Sequence, residues 1–206
     1  MAVDRRFLNA YVDPAPFRLL GRSLYPWCLK YRVRLMALDS PLMDGSRGII
    51  PADLLFACKV CAEEPLGDKI GFVDELRLMS LSRNSAKFDR LLEAFAGYIL
   101  VQDWPKFWEQ TKTNSRGGGK GVPWPLAIVA NLIASGIDEK RAWEMPECQA
   151  IWLNSALAIS KGADVAIMSP EEEAFMAEEQ AKEKAAATAA SNPAKETTDN
   201  GTIPGA

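Results

Sequence analysis

The sequence predicts an all-α fold: a compact multi-helix domain with a flexible Gly-rich loop, a C-terminal solvated helix and a disordered tail. Three observations carry this reading. Apolar residues in the long segments recur at spacings of three and four, the period of one helix face. Prolines and glycines sit mainly where such segments start and stop. Little of the chain alternates strictly enough to be a strand, and Ala163 to Ile167 does so only weakly.

In chain order, the first dozen residues read as an extended arm closed by Asp13-Pro14-Ala15-Pro16. A helix follows from about Pro26 to Leu38, with Trp27 or Cys28, Tyr31, Leu35 and Leu38 on one face and Lys30, Arg32 and Arg34 on others. Ser40-Pro41 ends it, and Asp44-Gly45-Ser46-Arg47-Gly48 is a turn cluster. Pro51 opens a second helix to about Ala62, with Asp53 in its first turn; apolar residues all round it predict burial. After a loop from Pro65 to Gly71, a shorter helix covers Phe72 to Met79. Ser82-Arg83-Asn84-Ser85 offers caps for a longer one through Phe88, Leu91, Leu92, Phe95 and Ile99 to about Gln102. Gly97 inside that helix predicts a close helix–helix approach.

Thr113 to Val122 is the strongest loop signal, suited to a linker or a mobile surface loop. It separates an N-terminal helical region, 1–112, from a helical pair, 123–168; an acidic Ala/Glu-rich helix and disordered tail occupy 169–206. The stretch Trp124 to Gly162 organises the chain as two packed helices with one sharp break. Pro146 disfavours helix at Met145 and begins a new helix at its own position. Beyond it Cys148, Ile151, Trp152, Ser155 and Ile159 share a face, and Gly162 stands where a cap belongs. Bounded by the loop and the solvated helix, this stretch reads as a semi-independent unit. Ser169-Pro170-Glu171-Glu172-Glu173 combines a cap, a proline and three first-turn acids into a strong helix start. The run to about Ala190 has almost no apolar face beyond Phe175 and Met176, so it reads as a projecting, fraying helix. Ser191 to Ala206 is disordered by composition.

Hydrophobic content of 48% and charged content of 25% are ordinary globular values. No apolar run approaches the roughly 20 residues that span a bilayer, and the first residues have no secretory h-region. A soluble cytoplasmic protein with no membrane partner is expected. Histidine is absent, which removes Ser-His-Asp and Cys-His pairs and imidazole metal sites. No pair of carboxylates or lysines is singled out instead, so no catalytic residue, cofactor or metal is expected. Gly117-Gly118-Gly119-Lys120-Gly121 fails the phosphate-loop pattern, which requires glycine at Asn114 and Ser or Thr at Gly121. Cys58-Lys59-Val60-Cys61 has CxxC spacing, but inside an apolar helix two such cysteines are small buried hydrophobes.

Charge is unevenly placed. From Ser169 onward eight acids face three lysines, a net of −5 that leaves the body at +2 of the total −3. Up to Leu38, seven basic residues face two acids. Tyr25, Trp27 and Tyr31 between them can stack bases, but the stripe that Trp27 and Tyr31 share with Leu35 and Leu38 favours a core, and an acidic protein or the chain's own tail accounts for the charge as well as nucleic acid does. Trp104, Trp108, Trp124, Trp143 and Trp152 crowd the glycine loop. With Arg22, Arg32 and Arg34 they are the candidate partner-binding residues, core packing being the alternative for each tryptophan.

Leu20 to Leu29, Leu35 to Pro41 and Ala52 to Ala57, followed by Pro123-Trp124-Pro125-Leu126, Ala142 to Pro146, Gln149 to Leu153 and Lys161-Gly162-Ala163, resemble small helical proteins of tailed-phage morphogenesis, similar to the tail assembly chaperones of long-tailed bacteriophages. The resemblance covers most of residues 17 to 168 and consists of packing and turn motifs. It implies a non-enzymatic protein of the host cytoplasm that coats the tape-measure protein, recruits tail-tube subunits and leaves before the virion is complete. It implies no catalytic residue, allows a homo-oligomer, and makes the C-terminal tail a candidate frameshift-variable end. A structural neck or capsid-associated virion component and a nucleic-acid-binding packaging factor are the alternatives.

Overall fold

The computed structural model describes residues 5–12, 15–67, 70–101, 104–108, 121–163 and 166–191, with side chains to residue 185. Ten helices occur among them: α1 Arg5–Ala10, α2 Leu29–Ala37, α3 Pro41–Asp44, α4 Pro51–Cys61, α5 Phe72–Arg83, α6 Ser85–Ile99, α7 Trp124–Ala134, α8 Glu139–Glu144, α9 Glu147–Ser160 and α10 Pro170–Ser191. The sheet is a single hairpin of β1 Phe17–Leu19 and β2 Arg22–Leu24. The all-α expectation holds.

Local signals placed α4 well. Pro51 stands in its first turn, and Asp53 Oδ2 accepts the Ile50 N–H at 2.9 Å, one half of a capping box. Leu54, Leu55, Ala57, Cys58, Val60 and Cys61 are all buried, so α4 forms the centre of the main core with Trp27, Tyr31, Leu35, Phe95 and Tyr98. A second cluster joins Leu29 of α2 to Val129, Leu132, Ala142, Met145 and Ala150. A third holds Ala10, Cys148 and Trp152. α2 thus supplies residues to two of the three clusters.

Four expectations change. Residues Arg5 to Ala10 are helical, not an extended arm: six residues cannot hold a helix alone, but Ala10 is fully buried and Phe7 packs on Trp152. The hairpin at 17–24 has no strand signal in the sequence, because three residues per strand give too short an alternation to register. Its turn puts Leu20 at φ 50° and Gly21 at φ 72°, the all-positive pattern of a two-residue hairpin loop. Trp124 to Gly162 folds as three helices instead of two, because Asp138 caps α8 by accepting the Arg141 N–H at 3.1 Å. Gly97 marks no close approach, since a Cβ built there meets nothing within 4 Å.

The helices on either side of the glycine-rich loop pack on one another, α7 and α8 against α2 and α9 against α1. Met1–Ile167 accordingly groups as one unit and Met168–Ala206 as another. The loop expected at 113–122 lies, up to residue 120, outside the described residues, as does the tail from 192. In the second unit α10 starts on a full capping box: Glu172 N–H donates to Ser169 Oγ at 3.2 Å, and Ser169 N–H donates to Glu172 Oε2 at 2.8 Å. Phe175 on it is 62% exposed, as a solvated helix requires.

Asn84 joins α5 to α6, its Oδ1 accepting the Lys87 N–H at 2.9 Å. Asn84→Ala is expected to lower stability by about 1 kcal/mol, seen as an earlier denaturation midpoint at unchanged slope.

Candidate functional site

Three of the eight candidate residues come together with two that were not named for the purpose. Arg32 leaves α2 half-buried, and its guanidinium carbon lies 5.5 Å from the Trp27 ring centroid, 5.5 Å from Trp104 and 5.2 Å from Trp124. The Trp104 and Trp124 rings meet edge to face at 6.1 Å. Arg32 Nε donates to Glu147 Oε2 at 2.8 Å, and Glu147 is only 1% exposed. A delocalised, weakly hydrated guanidinium suits such a cage better than an ammonium does.

Backbone docking fixes this geometry. The Glu147 N–H donates to the Trp27 carbonyl at 2.9 Å and Cys28 bridges Pro146, so the first turn of α9 is pinned to the start of α2. That directs Glu147 inward, where burial pushes its carboxyl above the ordinary value against Arg32 and the Trp27 indole, which favour the charged form. Glu147 Oε1 and Trp27 Nε1 are themselves buried without hydrogen-bond partners, an acceptor and a donor on adjoining groups. The arrangement is structural: it locks three helices and a linker through one ion pair.

Trp27 is also a wall of a concave surface among the described residues. An apolar groove of about 410 Å³ runs between the hairpin and α6, lined by Phe17, Tyr25, Pro26, Trp27, Gly97 and Tyr98 among others. The Phe17 and Tyr98 rings stack at 5.1 Å, and Trp27 meets Tyr98 edge to face at 6.1 Å. The Tyr98 hydroxyl donates to the Tyr25 carbonyl, so its polar end is satisfied and the groove presents ring surface. Gly97 forms an opening in the α6 side, which explains a helical glycine with nothing over it.

The remaining candidates lie apart. Trp152 is buried among α1 residues beneath the Arg6 guanidinium, 5.9 Å from its ring. Trp143 is half-buried against the second core cluster. The Trp108 N–H donates to the Ala166 carbonyl at 3.1 Å beside the Phe107–Ile167 bridge. Arg34 is exposed on α2, near Glu63 and Glu64. Arg22 is 8% exposed and sits in a separate cluster: its Nη2 donates to both Asp74 oxygens at 2.8 and 2.9 Å, its Nε to Glu64 at 2.9 Å. Lys59 at 3.0 Å and Arg77 at 3.0 Å share the same aspartate.

Sequence reading missed Glu147 and Asp74, because an acid in the first turn of a helix reads as a dipole partner facing water. Asp74 is the stronger case: burial works against its carboxylate, yet hydrogen bonds from Arg22, Lys59 and Arg77 hold its pKa at about 2. The four cysteines are free and buried, and burial pushes the Cys28 thiol up to about 11 and Cys58 up to about 12, far from thiolate chemistry at neutral pH. Among the described residues no group of three or more Cys, Asp or Glu is placed to hold a metal, and no helix is long and apolar enough to cross a membrane. Comparison with family models, curated proteins and solved structures finds no significant match for this chain.

Proposed function

We propose that this chain is a non-enzymatic assembly chaperone of the phage-tail type, which binds apolar helical segments of the tape-measure protein and helps recruit tail-tube subunits. The observation that carries the reading is the aromatic groove between the hairpin and α6: concave and apolar, it has the form that receives the apolar side chains of a partner helix. The resemblance of the sequence to tail assembly chaperones supports the choice of partner. Three of the basic residues that first suggested nucleic acid have internal carboxylates instead, Arg22 with Asp74 and Glu64, Lys30 with Glu63 and Glu144, and Arg32 with Glu147. These pairings count against the packaging-factor alternative, although Arg5, Arg18 and Arg34 have no such ion pair among the described residues.

Gly97→Leu tests the groove without breaking the fold, since the position is helical and open. Removing a helical glycine makes the variant at least as stable as the parent. Co-expressed with the tape-measure protein, the parent chain is expected to keep that protein soluble, and Gly97→Leu to lose most of this effect. Insoluble tape-measure protein with the parent chain, or equal solubilisation by both, defeats the proposal.

A further inference from the structure

The α5 helix is packed the wrong way round for a surface helix. Its buried residues are Asp74 and Leu81, while Phe72 is 73% exposed, Val73 57%, and Leu76 and Met79 49% each. Phe72, Leu76, Met79 and Arg83 follow one another at four, three and four residues, so they form one stripe, opposite the side that carries Asp74 and Leu81. The body holds α5 through buried Leu81 and through the ion pairs of Asp74 with Arg22 and Lys59. An apolar stripe left outward on a helix anchored by charge marks a binding face.

We infer that this face is a two-fold contact with a second copy of the same chain, α5 against α5 in antiparallel order. The argument for a second copy is self-complementarity. Two-fold contacts use the same patch on both chains, so the patch must match itself when reversed. Here the apolar stripe is flanked by Glu75 toward one end and Arg83 at the other, both exposed and neither in an ion pair with a described residue. Reversal about a point between Leu76 and Met79 sets each Leu76 beside the other copy's Met79. At about 1.5 Å of rise per residue, the same reversal lays each Arg83 over the other copy's Phe72 and within reach of its Glu75. Both charged ends are satisfied twice, and the helix dipoles run antiparallel. Parallel pairing sets Glu75 beside Glu75 and Arg83 beside Arg83. The inference is independent of the groove and of the tape-measure reading.

Sedimentation equilibrium on the whole chain, with circular dichroism to confirm folding, decides it. The parent chain is expected to be dimeric at micromolar to tens of micromolar concentration, and Leu76→Asp to weaken the dimer by about a hundredfold or more. Arg83→Glu alone weakens it about tenfold, and Glu75→Arg added to Arg83→Glu restores most of that loss. A chain that stays monomeric up to about a millimolar overturns the inference, as does a dimer indifferent to Leu76→Asp or a double reversal that fails to restore. If Leu76→Asp leaves the oligomeric state alone but abolishes tape-measure binding, the stripe serves a foreign helix and the self-contact is wrong.

Discussion

Arg32→Ala is expected to lower folding stability by about 3 kcal/mol at neutral pH, because it leaves Glu147 charged, buried and alone. The carboxylate is only 1% exposed, and its second oxygen is already without a hydrogen bond. Three indoles lose the cation they share as well. The sign with pH follows from the direction of the Glu147 shift. Its folded carboxyl already titrates above the ordinary 4.5, with burial the main cause, and removing Arg32 raises it further. The folded state then takes up a proton at a pH where the unfolded chain has none, so the variant regains stability as pH falls from neutral toward about 4.5 and loses it as pH rises through the folded value. Denaturant titrations at pH 7 and pH 5 check this. A deficit that is the same at both values excludes a buried Glu147 charge as its cause. Adding Glu147→Gln to Arg32→Ala is expected to recover much of the loss at pH 7, since the neutral amide keeps the shape without the charge.

How much of this the residues disclosed depends on how far apart the deciding groups lie. α4 and the start of α10 were legible because proline, cap and first-turn acid sit within four residues of each other. The hairpin was not: Arg22 points inward beside Leu24 only because Asp74, fifty-two residues on, is there to meet it. α1 is helical only because its partner Trp152 comes from α9. Among the candidate residues, Arg32, Trp104 and Trp124 were named as anchors for a partner, and the fold turns them into a mutual cage instead. Glu147, which decides the charge of that cage, is 115 residues from Arg32 in sequence, and no local pattern joins them. Gly97 was correctly singled out and wrongly explained. A helical glycine signals that a side chain is unwanted, whether the space beside it holds another helix or a groove.

Asp74→Ala is expected to have the largest effect on the fold, a loss of about 3–5 kcal/mol at neutral pH. Arg22, Lys59 and Arg77 converge on this one carboxylate, and two of the three cations are nearly or fully buried with it. Without it Glu64 alone faces Arg22, and a buried guanidinium nitrogen that already lacks a partner is joined by others. Because the folded pKa is about 2 against an ordinary 3.8, the parent chain carries this stabilisation in full above about pH 4 and loses it as pH falls toward 2. The gap between parent and variant should therefore be widest at neutral pH and close in acid, as for Arg32→Ala. Here it closes below about pH 4 and because the parent loses stability, whereas in Arg32→Ala the variant regains it. A gap that stays constant down to pH 2 points to lost packing rather than lost charge. The damage should also be local. Leu81 is the other buried residue of α5, so hydrogen exchange in Asp74→Ala is expected to accelerate first at the amides of Phe72–Arg83, while those of α4 and α9 keep more of their protection. If the whole chain loosens at once, the ion cluster supports the core as well as the helix that carries the outward stripe.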